Sequence, residues 1–571
     1  MLIVALLALL VIADTTNRLG VMLLRDDLFA GDAAQHTWWM YRYADAALFP
    51  DDLAARYMSM YVYSPPAYQA LFRLLAPHVD AQHLAELIAL VLNVTGVALA
   101  ALLGRRMGGF AGGAAAVLVW VLSQSALLVE GGFPRSFGVP LLLAGMIAIV
   151  ARRWITFGVV MAVTTLLYPP IVLNLAPVAG VVLLIGLLQH RRPPRRFVGL
   201  CACGVIAFAI VALLYIRPLP AEAGPFVTYA QARQMPEWGR DGRTAFFRPW
   251  HVFYFHSATA GIGLTLLQTA VALAALLATL LWRRRAIPLE AWLLIGSALT
   301  IWALAHALAF KLYLPSRYMT YAVPTFAMMW AAGVATLLRK PSPIPLASEE
   351  VRCGLKREAS APASQLGGRD PHPASLCGGG AGIGRWCAMG LLVAVTTVLI
   401  IRSTTQAVAA YHGPATWDPP AGFDQAMAFL RSLPVDTKIA AHPYDARAIP
   451  LLAHRSVLVN HEVAIPFNVA YYAEMKRRIE ATFDMLYATD WPSLDAIAER
   501  EGVRVFLLDR HRLSEPSSPD NQYKEPFGAQ NIAKIERGEI SGFALLNPPP
   551  ERILFTAGDV MLIDVGRGVQ K

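Results

Sequence analysis

The stretch Gly31-Asp32-Ala33-Ala34-Gln35-His36-Thr37-Trp38-Trp39-Met40-Tyr41-Arg42-Tyr43 decides how the rest of the chain is read. It follows an apolar first segment and so meets the far side of whatever that segment crosses. Asp32, His36, Trp39 and Tyr43 recur at helical spacing and would share one face. A carboxylate, an imidazole and aromatic rings at a membrane surface suit a general base acting on a polar substrate carried by a lipid. The same residues also write a capping box, Asp32 with Gln35 three positions on, and capping needs no chemistry. Both readings stay open on these residues alone.

Composition settles the surroundings. The 571 residues are 56% hydrophobic and only 15% charged, against roughly a quarter charged in an ordinary soluble protein. The chain reads as an α-helical polytopic membrane protein. Its net charge of +10 does not point to nucleic acid, because the basic residues sit in short clusters between apolar runs, as cytoplasmic loops require.

Residues 1–13 are apolar but short for a span, so the first crossing is either clipped at its start or continued through Leu19 to Leu24. Further apolar spans are predicted near 83–104, 109–128, 136–151, 154–168, 170–189, 197–216, 261–282, 289–310, 318–338 and 386–401, about eleven with the first. Arg105-Arg106, Arg152-Arg153, Arg191-Arg192 with Arg195-Arg196, Arg283-Arg284-Arg285 and Arg339-Lys340 fall in every second loop, which places those loops in the cytoplasm. The exported loops are then 14–82, 129–135, 217–260 and 311–317. The five cysteines fall in spans or on the cytoplasmic side, leaving no exported disulfide. Residues 341–385, rich in Ser, Pro, Ala and Gly, read as a disordered cytoplasmic linker. Gly378 to Gly384 superficially resembles a nucleotide-binding turn, but no strand precedes it. The division is a transmembrane domain over 1–401 and an exported soluble α/β domain over 402–571. Within the latter, helices are expected near 421–433, 467–487 and 492–501, with strands at 438–441, 456–459, 503–509, 552–555 and 560–565. No nucleophile elbow, phosphate loop or metal cluster is legible there, and its reading is a lid or scaffold.

On the same side as Asp32, the loop Glu130-Gly131-Gly132-Phe133-Pro134-Arg135-Ser136 puts an acid and an arginine beside two glycines. Lys311-Leu312-Tyr313-Leu314-Pro315-Ser316-Arg317-Tyr318 places cations and aromatics at the mouth of a span. Residues 217–260 add Trp238, Arg240, Arg243, Arg248, Trp250 and His251, a mixture suited to sugar and phosphate. Arg135 and Arg317 also fit simple snorkelling to lipid headgroups. A hard cation would want several oxygens, and Asp51, Asp52 and Glu130 are the candidates; no cofactor is certain, and a divalent metal, Mg or Mn, stays open.

With an acid in the first large exported loop (Gly31-Asp32 with His36), Pro315-Ser316-Arg317-Tyr318 at the head of a late span and a soluble exported C-terminal domain, the chain resembles the C-type (GT-C) membrane glycosyltransferases. Two narrower signatures of that superfamily are missing: Asp32 is followed by Ala33, not by a second acid, and no Trp-Trp-Asp occurs. The resemblance implies a polyprenyl-phosphate sugar donor, a glycan, lipid or protein acceptor among membrane lipids, inverting transfer on the exported face of a bacterial inner membrane, and Asp32 as base. Arg317 with Arg135 or Lys311 would hold the departing phosphate, and His36, Tyr318 and Trp250 would complete the substrate site. The rival classes are a transporter or flippase of a lipid-linked sugar and a non-catalytic envelope assembly protein. The apparent lack of a repeat and of ionisable residues within the spans weighs against transport.

Overall fold

The computed structural model describes residues 2–24, 31–190, 219–264, 266–283, 287–336, 419–537 and 542–566, with positions 209, 401, 405 and 406. Apart from positions 209 and 401, the spans expected near 197–216 and 386–401 lie outside them, as do the linker 341–385, the Gly378 to Gly384 turn and all five cysteines.

The first segment takes the longer of its two readings. Helix Leu2–Thr15 runs through a π-turn, Thr16–Gly20, into helix Val21–Leu24, and together these reach about 34 Å at 1.5 Å per residue, enough to cross.

Helix Ala81–Leu122 counts 42 residues, which as a straight rod would run about 63 Å, twice the thickness of a bilayer core. It is not straight. Gly109 has φ 62° and ψ −151°, a region open in practice only to glycine, and the chain reverses there. Trp120 Nε1 donates to Asn93 Oδ1 at 3.1 Å, and a Cβ on Gly104 would stand 2.3 Å from the Gly112 carbonyl oxygen. Residues eight apart in an unbroken helix are about 12 Å apart. These are therefore two antiparallel helices, as the sequence expects from its spans near 83–104 and 109–128. Small residues let the backbones touch, and the carbonyl of Ala332, from helix Ser316–Ala335, closes onto Gly108.

The remaining long helices described before residue 419 are Gly138–Val150, Trp154–Leu167, Pro170–His190, Leu266–Arg283, Leu289–Leu308 and Ser316–Ala335. Each lies within two or three residues of its predicted span except at Leu266, which starts late. Arg152 pairs with Glu290 at 2.9 Å, so two loops expected in the cytoplasm meet at one end of the bundle. Arg317, a helix length away from Ala332, stands at the other. By length and composition, three helices among the described residues could cross a membrane alone: Ala81–Leu122, Pro170–Leu188 and Leu289–Leu308. Ala5–Thr15, Pro134–Val150 and Trp154–Leu167 are shorter apolar helices, so the count of about eleven spans is not established.

After residue 419 the chain forms a four-stranded sheet in the order β1-β2-β4-β3, from β1 Ile439–Ala441, β2 Val505–Asp509, β3 Ile553–Ala557 and β4 Val560–Asp564. β1 and β2 are parallel, while β4 runs antiparallel to both neighbours. β1 and β2 are buried at every position, which is why they read as unbroken apolar runs. The strand expected at 456–459 is reduced to a single parallel bridge, Ile439 to Val457. Helices Phe423–Ser432, Val469–Leu486 and Trp491–Glu501 match expectation, whereas Phe527–Arg537 was not foreseen.

This domain is stitched to the loops before it by Asn468, which is fully buried. Its Oδ1 accepts from the Tyr57 and Tyr63 hydroxyls at 2.7 and 2.9 Å, and its Nδ2 donates to the Gly224 carbonyl at 3.1 Å. Tyr57 also stacks on Tyr471, with ring centroids 3.5 Å apart.

Candidate functional site

Asp32 begins helix Ala33–His36, and its backbone carbonyl accepts from Gln35 and His36, both at 3.0 Å. Its side chain makes no cap hydrogen bond, so the capping box does not form. The carboxylate instead pairs with the Arg135 guanidinium. Arg135 is brought there by the 130–137 loop, where Gly131 and Gly132 both take positive φ and a Cβ on Gly132 would collide with the Ala85 carbonyl at 2.0 Å. Only glycine allows that loop to lie on the helix beneath it. The Phe133 ring then sits 5.2 Å from the His36 ring and 5.5 Å from the Arg135 guanidinium carbon.

Burial by itself would raise the Asp32 carboxyl, but Arg135, then His36, Arg317 and Arg243, overcome it and hold the group below the usual carboxylate range. Burial pushes His36 down to about 4 against the opposing pull of Asp32, which leaves a neutral imidazole at pH 7. Two buried nitrogens beside this carboxylate, His36 Nδ1 and Arg317 Nε, have no hydrogen-bond partner among the described residues. Such atoms cost free energy unless something arrives to meet them. The side chains of Arg135 and Asp32 are still 34% and 31% exposed, so a ligand can reach the pair.

Five separate pieces of chain converge here, and two of their residues were missed. Arg243, noted in its loop but not singled out, donates from Nε to the His461 carbonyl at 2.8 Å and pairs with Glu462 at 3.0 Å. Glu462 comes from the domain read as a lid or scaffold. Burial raises its carboxyl above the normal range, Arg243 opposes this, and the Asp32 charge adds to the rise. Asn460 holds it by accepting from the Glu462 and Val463 amides at 2.9 and 3.1 Å. No spacing in the sequence links residue 32 to residue 462.

The other candidates divide. Tyr318 is buried and its hydroxyl donates to the Leu312 carbonyl, a structural contact. Lys311 is exposed, and the cations acting most strongly on Asp32 are Arg135, Arg317 and Arg243. Trp250 is exposed and meets His251 and Phe255 edge-on. Asp52 caps helix Leu53–Met58, accepting from the Ala55 amide at 3.0 Å, while Asp51 is exposed at φ 51° and Glu130 lies on a 3-10 turn. Among the described residues no group of three or more His, Cys, Asp or Glu is placed to hold a metal. Asp51, Asp52 and Glu130 thus do not converge as a metal site.

No family model and no curated protein sequence matches the chain. Among solved structures, ArnT from Cupriavidus metallidurans bound to undecaprenyl phosphate aligns over 100% of this chain and 98% of its own, at 15% identity and a TM-score of 0.50. The fold is that of the C-type membrane glycosyltransferases. The archaeal oligosaccharyltransferase AglB from Archaeoglobus fulgidus, in complex with an inhibitory peptide and a dolichol-phosphate, aligns over 93% of this chain and 72% of its own at 14% identity, with a TM-score of 0.49. The apolar helices, three of them among the described residues long and apolar enough to cross a membrane, accord with that fold.

Proposed function

We propose that the protein transfers a sugar from a polyprenyl-phosphate donor to an acceptor on the exported face of the membrane, with inversion at the anomeric carbon. The observation that carries this reading is one ionised carboxylate, Asp32, set among Arg135, Arg317 and Arg243, with a buried Arg317 nitrogen still lacking a partner. The ArnT structure of like fold holds a lipid phosphate, a ligand of the charge this cluster would receive.

Arg317 opens helix Ser316–Ala335. The positive dipole end of that helix adds to its guanidinium at the depth where a lipid phosphate rides. Arg135 is held by Asp32 in the resting site, which keeps the base quenched. A phosphate entering beside Arg317 offers Arg135 a second anionic partner and releases a carboxylate oxygen of Asp32 for the acceptor hydroxyl. Asp32 then takes the hydroxyl proton as the oxygen attacks the anomeric carbon and the carbon–oxygen bond to phosphate breaks. The arginines carry the negative charge that passes to the leaving phosphate. Glu462, held by Arg243, borders the same space from the C-terminal domain and faces the acceptor side.

The test is a product assay with purified protein and a polyprenyl-phosphate sugar. Formation of a glycosylated acceptor with inverted configuration, lost in Asp32→Asn, supports the reading. Donor binding without any transfer, or movement of intact donor across a vesicle bilayer, overturns it.

A further inference from the structure

A second cavity lies where the first loop meets the C-terminal domain. One wall is Tyr41, Ala44, Asp45 and Leu48 with Ala76, Asp80 and Ala81; the other is Val435, His454 and Arg455, and together they enclose about 410 Å³. That falls within the range of small-ligand sites, roughly 300–1,000 Å³. None of these residues belongs to the Asp32 cluster.

The lining is two-sided. Leu48, Ala76, Ala81 and Val435 give an apolar floor. His454 has φ 56°, in the left-handed region that few side chains other than Asn, Asp and His enter, and is held with its ring 4.1 Å from that of Tyr41, tilted by 39°. The Tyr41 hydroxyl donates to Asp80 Oδ1 at 3.1 Å, an oxygen that also receives the Gln82 and His83 amides at 2.9 and 3.2 Å. Asp45 is fixed at the rim by accepting from the Ala47 amide at 2.9 Å. Arg455 spends its donors on the backbone carbonyls of Arg431, Leu433 and His454, which leaves few of its hydrogens for an anion. Burial pushes His454 down to about 4, leaving it neutral.

An anion entering here would meet two carboxylates. A hard cation would need more ligands than the cavity gathers, since no group of three or more His, Cys, Asp or Glu forms among the described residues. A ring with one face of C–H bonds and an edge of hydroxyls meets both halves, its face on the aliphatic floor and its hydroxyls donating to Asp45 and Asp80. We propose that this cleft is a binding site for a short neutral saccharide, separate from the Asp32 cluster. The inference rests on the cleft's chemistry and holds whether or not the protein transfers sugar.

The experiment is saturation-transfer NMR on the full chain in lipid nanodiscs, since maltoside detergents are themselves saccharides. Glucose, N-acetylglucosamine and maltose are the probes, with inorganic phosphate and Mg²⁺ as competitors. Transfer to the ring C–H protons is expected for at least one saccharide, undisturbed by either competitor. Asp45→Ala, at an exposed position, should weaken it about tenfold by loss of one charged hydrogen bond, and Ala44→Trp should abolish it by filling the cavity. Asp32→Asn should leave it intact. No transfer to any of the three, or equal transfer in wild type and both cleft variants, overturns the proposal; loss in Asp32→Asn alone would assign the sugar to the other site.

Discussion

Asp32 pairs with Arg135 and leaves the helix it begins without a side-chain cap. Its carboxylate is therefore free of the backbone and answers to the three arginines around it. Asp32→Asn should keep the local fold and lower transfer by about 10² to 10⁴, the usual contribution of a general base. Turnover measured on protein of unchanged melting temperature decides it, and near-normal turnover would give Asp32 a purely structural role.

Arg317 separates a phosphate clamp from a snorkelling side chain. A guanidinium can hold two phosphate oxygens where an ammonium acts as a point charge. Arg317→Lys should bind undecaprenyl phosphate about tenfold more weakly, and Arg317→Ala more weakly still. Lipid-phosphate titration at matched expression reads this directly; a lysine variant indistinguishable from wild type would leave only the membrane-anchoring role.

The acid side of the pH profile follows from the direction of each shift. A carboxyl held low in the folded site works above its folded pKa and loses function as pH falls through it, so the acid limb for transfer should lie below the normal carboxylate range. Removing Arg135's charge in Arg135→Gln should move that limb to higher pH. A limb that does not move would mean that Asp32 is not the titrating base.

Stability should follow the buried histidines. His36 falls from 6.5 to about 4 on folding, and His442 to about 3, so between pH 6.5 and those values the unfolded chain binds protons that the folded one refuses. Stability is full above about 6.5 and declines as pH falls, by about 3 kcal/mol for His36 alone. Thermal melts from pH 7 to 4 check this, and His442→Gln should flatten the slope.

Asn468 joins three parts of the chain that are far apart in sequence. Asn468→Ala removes the acceptor shared by the Tyr57 and Tyr63 hydroxyls, which then have only each other, and should cost about 1–3 kcal/mol. Limited proteolysis should then release the C-terminal domain more readily, with transfer falling as Glu462 leaves the site. Unchanged protease resistance would mean that the domain is held elsewhere.

Topology is checked by labelling. A cysteine in place of Ser517 should react from outside intact cells, and one in place of Arg106 only after permeabilisation. Both positions are exposed in the fold, so a reversed pattern would invert the assignment of every loop.

The sequence by itself determined what depends on local patterning. Spans are written in runs of apolar residues and their ends in basic clusters, because a bilayer imposes one length and one solvent on every crossing. Asp32, Arg135 and Arg317 were legible because charge at a predicted membrane boundary stands out against apolar neighbours. The buried strands Ile439–Ala441 and Val505–Asp509 were legible for the same reason. Only the tertiary structure decided what those charges face. Whether Asp32 caps its own helix or reaches Arg135 depends on where the Gly131-Gly132 turn carries a loop a hundred residues away. Asp52, outwardly as good an acid, was decided the other way by the amide of Ala55. Tyr318 turned to a backbone carbonyl, and Arg243 and Glu462 joined the site through a contact across 219 positions. Long-range pairing of polar side chains leaves no periodicity in the chain, since it is fixed by packing between elements and not by the spacing within any one of them.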